Sequence, residues 1–296
     1  MSAGPTVISE KRHKRLQRWR LRWIAERACR GAEPWRAASD RLVTTLAGSL
    51  PEADQAGRGT VLVACDRAYL DRFAEPFVRS IHAAGEPTRI HIHVCDDACD
   101  VGERIGAIAG RASSVALTWT AATEPVADGL AYRTIYYTAA RFLLVPAVLR
   151  AARGPVLCLD VDALARRPLW PPIRDALASA DIVVQERPGW KQATRRTVAG
   201  VVAFAVTDGG LAFADRLSRA IRDGFGIDPR YHLDQIAMTY LLAIMRRRGE
   251  LRTAPVPAGY VDHEPGGDGV LWSAKGRAQK DSGAFADAQA MAGRAP

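Results

Sequence analysis

The sequence predicts an α/β fold: a Rossmann-like mixed central sheet flanked by helices, entered through a basic helical arm. Three observations predict it. Short apolar runs near 60–65, 89–97 and 114–119 alternate with helical patterns, the βαβαβ order of a half Rossmann-like unit. Residues 133–163 then read as an apolar helix, an Arg153-Gly154-Pro155 turn and a buried run from Val156 to Leu159, as a covered parallel strand shows. Basic side chains crowd residues 11–30, and residues 1–58 carry more of the chain's net charge of +9 than all the rest.

The arm, residues 1–58 with its linker, comes first. Leu16, Trp19 and Trp23 share a helical face among Arg12, Arg15, Arg18 and Arg22. Three readings stay open: packing of the tryptophans onto the main domain, a peripheral seat on an anionic membrane, or capture of a partner protein or nucleic acid. Residues 39–49 can extend a helical arm, and 50–58 read as linker. The main domain is taken as 59–280, with a flexible tail over 281–296.

Within the main domain Val61, Leu62, Val63 and Ala64 make the first strand, ending at Cys65-Asp66. Residues 69–84 make a helix in which Pro76 can introduce a kink. The strand RIHIHVCDD alternates Ile90, Ile92 and Val94 with His91 and His93, read as strand surface rather than a metal site. A helix near 101–110 leads to the strand at 114–119. After the central strand, Leu169-Trp170-Pro171-Pro172 reads as a rigid break. Strands follow at 181–186 and 198–206, then helices at 211–225 and 231–247.

Composition narrows the function. Hydrophobic content of 48% and charged content of 25% are those of a globular protein, and no run approaches the roughly 18 apolar residues of a membrane span. The first residues lack the apolar core of a secretory signal. Five cysteines without a CxxC pair point to a reducing compartment, which with the missing signal gives a cytoplasmic location. Beyond the arm no nucleic-acid-binding pattern is present, so no nucleic-acid partner is expected.

The chemistry concentrates after strand ends. Asp160 and Asp162 follow a buried strand, where open α/β sheets put their ligands. A continued strand would turn both to one face; a bend would aim both at one diphosphate and its cation. The plainer alternative is a turn former or helix cap. Asp66 with Tyr69 suits a base or ribose better than phosphate, because no GxGxxG follows the first strand. Gly200 allows close approach of the backbone to a ligand or marks a bulge. Asp234 is a helix cap or, with Gln235, a sugar-hydroxyl partner. Near the C-terminus Lys275, Gly276, Arg277 and Lys280 make a basic segment able to close over a phosphate, or a plain solvated loop.

In order, VLVACDRAYL, YYTAARFLLVPAVLRAARGPVLCLDVDALA, AGVVAFAV, Asp234-Gln235 and LWSAKGRAQK resemble the nucleotide-sugar glycosyltransferases of the GT-A fold, particularly the glycogenin/galactosyltransferase-like family 8. The likeness covers about residues 60–280. It implies donor contacts from Asp66, Tyr69, Arg141, Asp160, Lys275, Gly276 and Lys280. It implies a Mn²⁺ or Mg²⁺ ion on Asp160 and Asp162, with Asp234, Gln235 and Arg141 beside the reacting sugar. It also implies a UDP-sugar donor, retention at the anomeric carbon, and a glycan, lipid or protein hydroxyl as acceptor. Three positions depart from that pattern: Ser273 stands where it has a metal-binding histidine, Gln279 precedes a Lys280 displaced by one, and Val198 stands where it usually has an asparagine, a residue this chain lacks altogether. His263 is the imidazole that a folded glycine-rich loop would bring instead. The competing readings are a haloacid-dehalogenase-like phosphatase with Asp160 as nucleophile, and a non-catalytic nucleotide- or glycan-binding domain.

Overall fold

The computed structural model describes residues 10–30, 46–53, 57–122, 130–227, 229 and 232–292. Its core is an eight-stranded mixed sheet. The elements run α1 (Glu10–Arg30), β1 (Leu46–Gly48), β2 (Thr60–Cys65), α2, β3 (Thr88–Val94), α3 (Val101–Ala109), β4 (Val115–Ala122), α4 (Arg133–Ala152), β5 (Val156–Leu159) and β6 (Ala163–Ala165). They continue with α5 (Trp170–Leu177), β7 (Ile182–Glu186), α6 (Ala193–Arg196), β8 (Thr197–Phe204), α7 (Asp208–Phe225), α8 (Leu233–Arg247) and β9 (Thr253–Pro255). Two short strands and two helices close the chain: β10 (Val261–Asp262), β11 (Leu271–Ser273), α9 (Gly276–Lys280) and α10 (Gly283–Ala292). Helix α2 comprises Arg67–Tyr69, a π-helical turn at Leu70–Ala74, and Glu75–Ala83. Pro76 has no N–H to return to the preceding turn, and the wide turn falls just before it.

The strand order is β1-β4-β3-β2-β5-β8-β7-β9. Strands β4, β3, β2 and β5 are parallel, while β8 runs antiparallel between β5 and β7. The chain leaves β2 toward β3 and β4, then returns through α4 to set β5 on β2's other side. Between the ends of β2 and β5 lies a topological switch point, where such sheets open a ligand crevice. Val61, Val63, Leu157 and Leu159 belong to one apolar layer; Leu62, Val156 and Cys158 belong to the opposite one, which α4, α7 and α8 cover. Both layers being covered explains the continuous apolar runs of β2 and β5. A smaller sheet, β10-β11-β6, brings the C-terminal part of the chain back to β6, directly after the central strand.

Several expectations are corrected here. Trp19 and Trp23 do not pack on the domain: they are 65% and 51% exposed. Helix α1 instead buries Leu21, Ile24, Ala25, Ala28 and Cys29 against α7 and α8. Small residues allow close approach there, and Leu21 seats against Gly224 of α7. Residues 46–48, expected in a helical arm, form the edge strand β1 beside β4; residues 39–45 of that stretch lie outside the described residues. Trp170-Pro171-Pro172 starts helix α5 rather than breaking the chain, since proline suits a first turn. The tail at 281–296, expected to be flexible, holds α10, whose Phe285 is buried against Trp272 with ring centroids 5.1 Å apart.

His91 and His93 are buried rather than at the strand surface, 0% and 2% exposed. Thr118 Oγ1 lies 2.9 Å from His91 Nδ1, and Thr120 Oγ1 lies 3.0 Å from His91 Nε2 and 3.1 Å from His93 Nδ1. Helix α4 is the one described helix long and apolar enough to cross a membrane, and 72% of that window is buried in the protein.

Candidate active site

Strand β5 ends at Leu159, and the chain turns through Asp160–Asp162 before β6, with the Ala163 N–H donating to the Asp160 carbonyl at 3.3 Å. This bend aims both carboxylates into one cleft of about 390 Å³. Asp66, at the end of the neighbouring β2, lines the same cleft. The other sequence-chosen residues that line it are Tyr69, Arg141, Gln235, Lys275, Gly276 and Lys280. Asp234 does not: it is buried behind the cleft wall.

Arg141 is the electrostatic centre of the buried side. It projects from α4 with only 3% exposure, and its Nη1 meets Asp160 Oδ1 at 2.6 Å. Its Nη2 donates to the Ala199 carbonyl at 2.9 Å. That carbonyl sits where the pairing of β8 with β7 slips, between Val184 and Gln185. The slip leaves Ala199–Val201 without partners on β7, so the Ala199 carbonyl is available to a side chain. Burial works against the Arg141 charge, but Asp160 and Asp234 outweigh it and raise the guanidinium pKa further. Burial raises the Asp234 carboxyl, against the pull of Arg141 and the Gln235 backbone N–H. One buried cation therefore serves two acids.

Gly200 lies at the same slip. A Cβ there would stand 3.2 Å from Asp160 Oδ2, so the glycine's small size permits this approach. Of the two sequence readings of Gly200 the irregular register matches the bulge, and the close approach shown is to the Asp160 side chain. Gln235 holds the far wall: with its amide oriented for the acceptors present, the nitrogen donates to the Thr197 and Thr194 carbonyls at 3.1 and 3.0 Å. His232 precedes α8 at φ 36°, a left-handed conformation that favours glycine.

On the open side, Asp66 caps the first turn of α2, its Oδ1 accepting from the Tyr69 N–H at 2.8 Å. Tyr69 rests on Phe73 with centroids 4.8 Å apart. Lys280 reaches across from α9. Its ammonium pairs with Asp162 Oδ2, lies 3.4 Å from the Tyr69 hydroxyl, and sits 5.2 Å from that ring's centroid. Arg72 fixes the end of α9 by donating to the Lys280 carbonyl at 2.9 Å and pairing with Asp281 at 2.7 Å. Burial and Asp160 push the Asp162 carboxyl up, while Lys280 and Arg141 oppose them. Gly276 begins α9 at φ 70°, where an L side chain would be strained. Burial, with Arg187, lowers the Lys275 pKa. Arg277 points away, 94% exposed and paired with Asp281.

The residues do not fit a resident divalent ion as they stand. Arg141 holds Asp160 and Lys280 holds Asp162, so both carboxylates already face a cation. Ser273 offers no imidazole, and His263, though it lines the cleft, donates its Nδ1–H to the Ser273 carbonyl at 2.9 Å. No group of three His, Cys, Asp or Glu side chains able to hold a metal occurs among the described residues. Thr138 and Gln185, which sequence reasoning missed, also line the cleft, as does Tyr137, which begins the Y-x-x-x-R spacing of the matched block but was given no role of its own. Tyr137 stands four residues before Arg141, one helical turn along the same face, which is why both reach the cleft.

No protein-family model and no curated protein matches this chain. Solved structures do match its fold. The bifunctional glycosyltransferase WbbM in its apo form is similar over 83% of this chain and 51% of its own, with TM-score 0.57 and 12% identity. The galactosyltransferase LgtC, solved with donor and acceptor sugar analogs, is similar over 78% and 95%, with TM-score 0.53 and 18% identity. The glycosyltransferase GlyE of Streptococcus pneumoniae TIGR4 is similar over 78% and 60%, with TM-score 0.55 and 13% identity. The chain spans about half the length of WbbM. At these identities the likeness concerns architecture: a mixed sheet flanked by helices, in the GT-A arrangement of glycosyltransferases, with a helix at the N-terminal side.

Proposed function

We propose that this chain is a glycosyltransferase that moves a hexose from a nucleoside diphosphate sugar, UDP-linked in the simplest case, to an acceptor hydroxyl. The observation that carries the reading is the convergence of Asp66, Arg141, Asp160, Asp162, Gln235 and Lys280 on one cleft at the switch point of the sheet. Residues 59–280 are the proposed catalytic unit, and the family 8 likeness supports retention at the anomeric carbon.

In this reading Asp66 accepts a hydrogen bond from the base, Tyr69 offers its ring face, and Asp160 meets the ribose. Lys280 and Lys275 face the diphosphate. The bond from the anomeric carbon to the β-phosphate oxygen breaks and its electron pair stays on the diphosphate. Ammonium groups held in place before the charge develops stabilise that departure. The acceptor oxygen bonds to the same carbon, and its proton leaves with the released diphosphate. Gln235 orients sugar hydroxyls from the wall; Asp234 acts through Arg141 and is a positioning residue. No step is routed through a metal.

The test is a screen of nucleotide-sugars for binding and slow hydrolysis, run with Mn²⁺, with Mg²⁺ and with chelator. The expected result is one nucleoside diphosphate series that binds, with hydrolysis lost in Asp162→Asn. Asp162 is the carboxylate that holds the Lys280 ammonium in the cleft, and wild-type donor affinity and turnover in that variant would refute this role. Hydrolysis of generic aryl phosphates that depends on Asp160 would replace the reading with a phosphatase, and tight nucleotide binding without turnover or transfer would leave a binding domain.

A further inference from the structure

A second cleft, of about 420 Å³, opens between α1, α6 and α8, away from the donor site. Arg18, Arg22, Lys191, Arg196, Arg247 and Tyr240 line it, with Glu26 as its one acid. Glu26 is already engaged by Arg22 at 3.1 Å and by Arg30 at 3.8 Å. Lys191, Arg196 and Arg247 have no carboxylate partner among the described residues. Arg18 and Arg22 also act on the Tyr240 hydroxyl: burial raises its pKa and these two cations oppose the rise. A cleft with this excess of cations attracts anions.

The aromatic surroundings say which kind. Trp19, Trp23 and Trp190 are 65%, 51% and 43% exposed, and they are the exposed tryptophans of the described residues. All three sit beside this cleft in the chain. Trp19 follows Arg18, Trp23 follows Arg22, and Trp190 precedes Lys191. Trp23 and Trp190 each carry a guanidinium over the ring, from Arg27 at 4.8 Å and Arg195 at 5.0 Å. Exposed indoles among cations are the composition of a surface that lies at a membrane interface, where rings enter the headgroup layer and basic side chains meet anionic lipid. A free anion in water explains the cations but leaves the three exposed rings without a role.

We propose that the outward face of α1, together with this cleft, docks the protein on an anionic bilayer, the cleft receiving a phosphate-bearing lipid headgroup. The docking stands on residues apart from the donor cleft. One consequence does rest on the donor reading: α6 lines the headgroup cleft and leads straight into β8, whose Val198 and Gly200 line the donor cleft. An acceptor carried by the bilayer would then arrive beside the transfer site.

The experiment is sedimentation of the full chain with phosphatidylcholine vesicles, with and without added phosphatidylglycerol, at low and high salt. Binding is expected only to the anionic vesicles and is expected to fall with salt. The triple variant Lys191→Ala, Arg196→Ala, Arg247→Ala is expected to bind about a hundredfold more weakly, from about 1 kcal/mol per basic residue at such a surface. Trp19→Ser with Trp23→Ser should weaken binding while leaving the thermal unfolding midpoint unchanged. Equal binding to both vesicle types, or undiminished binding by either folded variant, would overturn the proposal. So would inorganic phosphate binding in calorimetry without any vesicle binding. Nucleotide binding measured on the same samples reports on the donor reading separately.

Discussion

The Lys280 ammonium is paired with the Asp162 carboxylate across 118 positions of sequence, and this pair closes the open side of the cleft. Both side chains are largely shielded, 17% and 9% exposed. A divalent ion that binds Asp162 must first displace an ammonium already in place. Lys280→Met removes that competitor without adding a ligand. The variant is expected to bind Mn²⁺ about tenfold more tightly than the wild type, from the loss of roughly 1–2 kcal/mol of charge-assisted pairing. Calorimetry or electron paramagnetic resonance checks it. Unchanged or weaker Mn²⁺ binding would show that Lys280 does not guard the carboxylate.

Arg141 carries a different load, because it is buried and faces Asp160, Asp234 and the Ala199 carbonyl together. Arg141→Met leaves the buried Asp234 and the solvent-facing Asp160 without their cation; water screens Asp160, so the expected cost in urea unfolding is about 1–3 kcal/mol. Arg141→Lys keeps the charge but lacks the fork that reaches Asp160 and the Ala199 carbonyl at once. It is expected to recover part of the stability and little of the donor binding. Full recovery of both would reduce Arg141 to a simple counter-ion.

Gly200→Ala tests the approach of β8 to Asp160. The new methyl would stand 3.2 Å from the carboxylate, a contact relieved by a shift of a few tenths of an ångström. Arg141 holds Asp160 Oδ1 and the Ala199 carbonyl beside Gly200, so the shift falls on Asp160 Oδ2, the carboxylate oxygen that Arg141 does not hold. The expected outcome is a fold loss of less than about 1 kcal/mol with a donor KM raised severalfold. A stability loss larger than the effect on donor binding would mark Gly200 as structural only.

Much of this was legible in the sequence. The segment 133–163 reads directly as α4, β5 and the acidic turn because its apolar periods are long and uninterrupted. The βαβαβ half and the Asp66, Asp160 and Asp162 positions at strand ends follow from the same patterns. What the sequence hid has short or long range as its cause. Strands β6, β10 and β11 have three residues or fewer, too few for any period to show, so the small sheet carrying Ser273 toward the site was invisible. The Lys280–Asp162 pair is a tertiary contact with no local trace. Which face of α1 packs stayed open in the sequence because tryptophan outweighs alanine on any hydrophobicity scale, whereas Ala25 and Ala28 pack where close approach matters.

His91 and His93 set a pH dependence whose sign can be worked out. Burial lowers both rings, His91 to about 3 with further help from His93, and His93 to about 4 against a hydrogen bond that its ring donates to the Thr120 backbone. An unfolded histidine has the ordinary value of 6.5, so between about 4 and 6.5 the unfolded chain binds protons that the folded chain refuses. Stability from these two residues is therefore full above 6.5 and falls as pH drops through that window, by up to about 1.4 kcal/mol per pH unit for each ring. The raised carboxyls of Asp162 and Asp234 act in the opposite sense, gaining protons in the folded state first. The difference between wild type and variant isolates the histidines. His91→Gln offers Thr118 and Thr120 a neutral partner and removes one titrating ring. Its urea-unfolding free energy is expected to fall less steeply than the wild type's between pH 6.5 and 4.5, whatever its value at pH 8. Parallel profiles would mean that these rings protonate inside the fold.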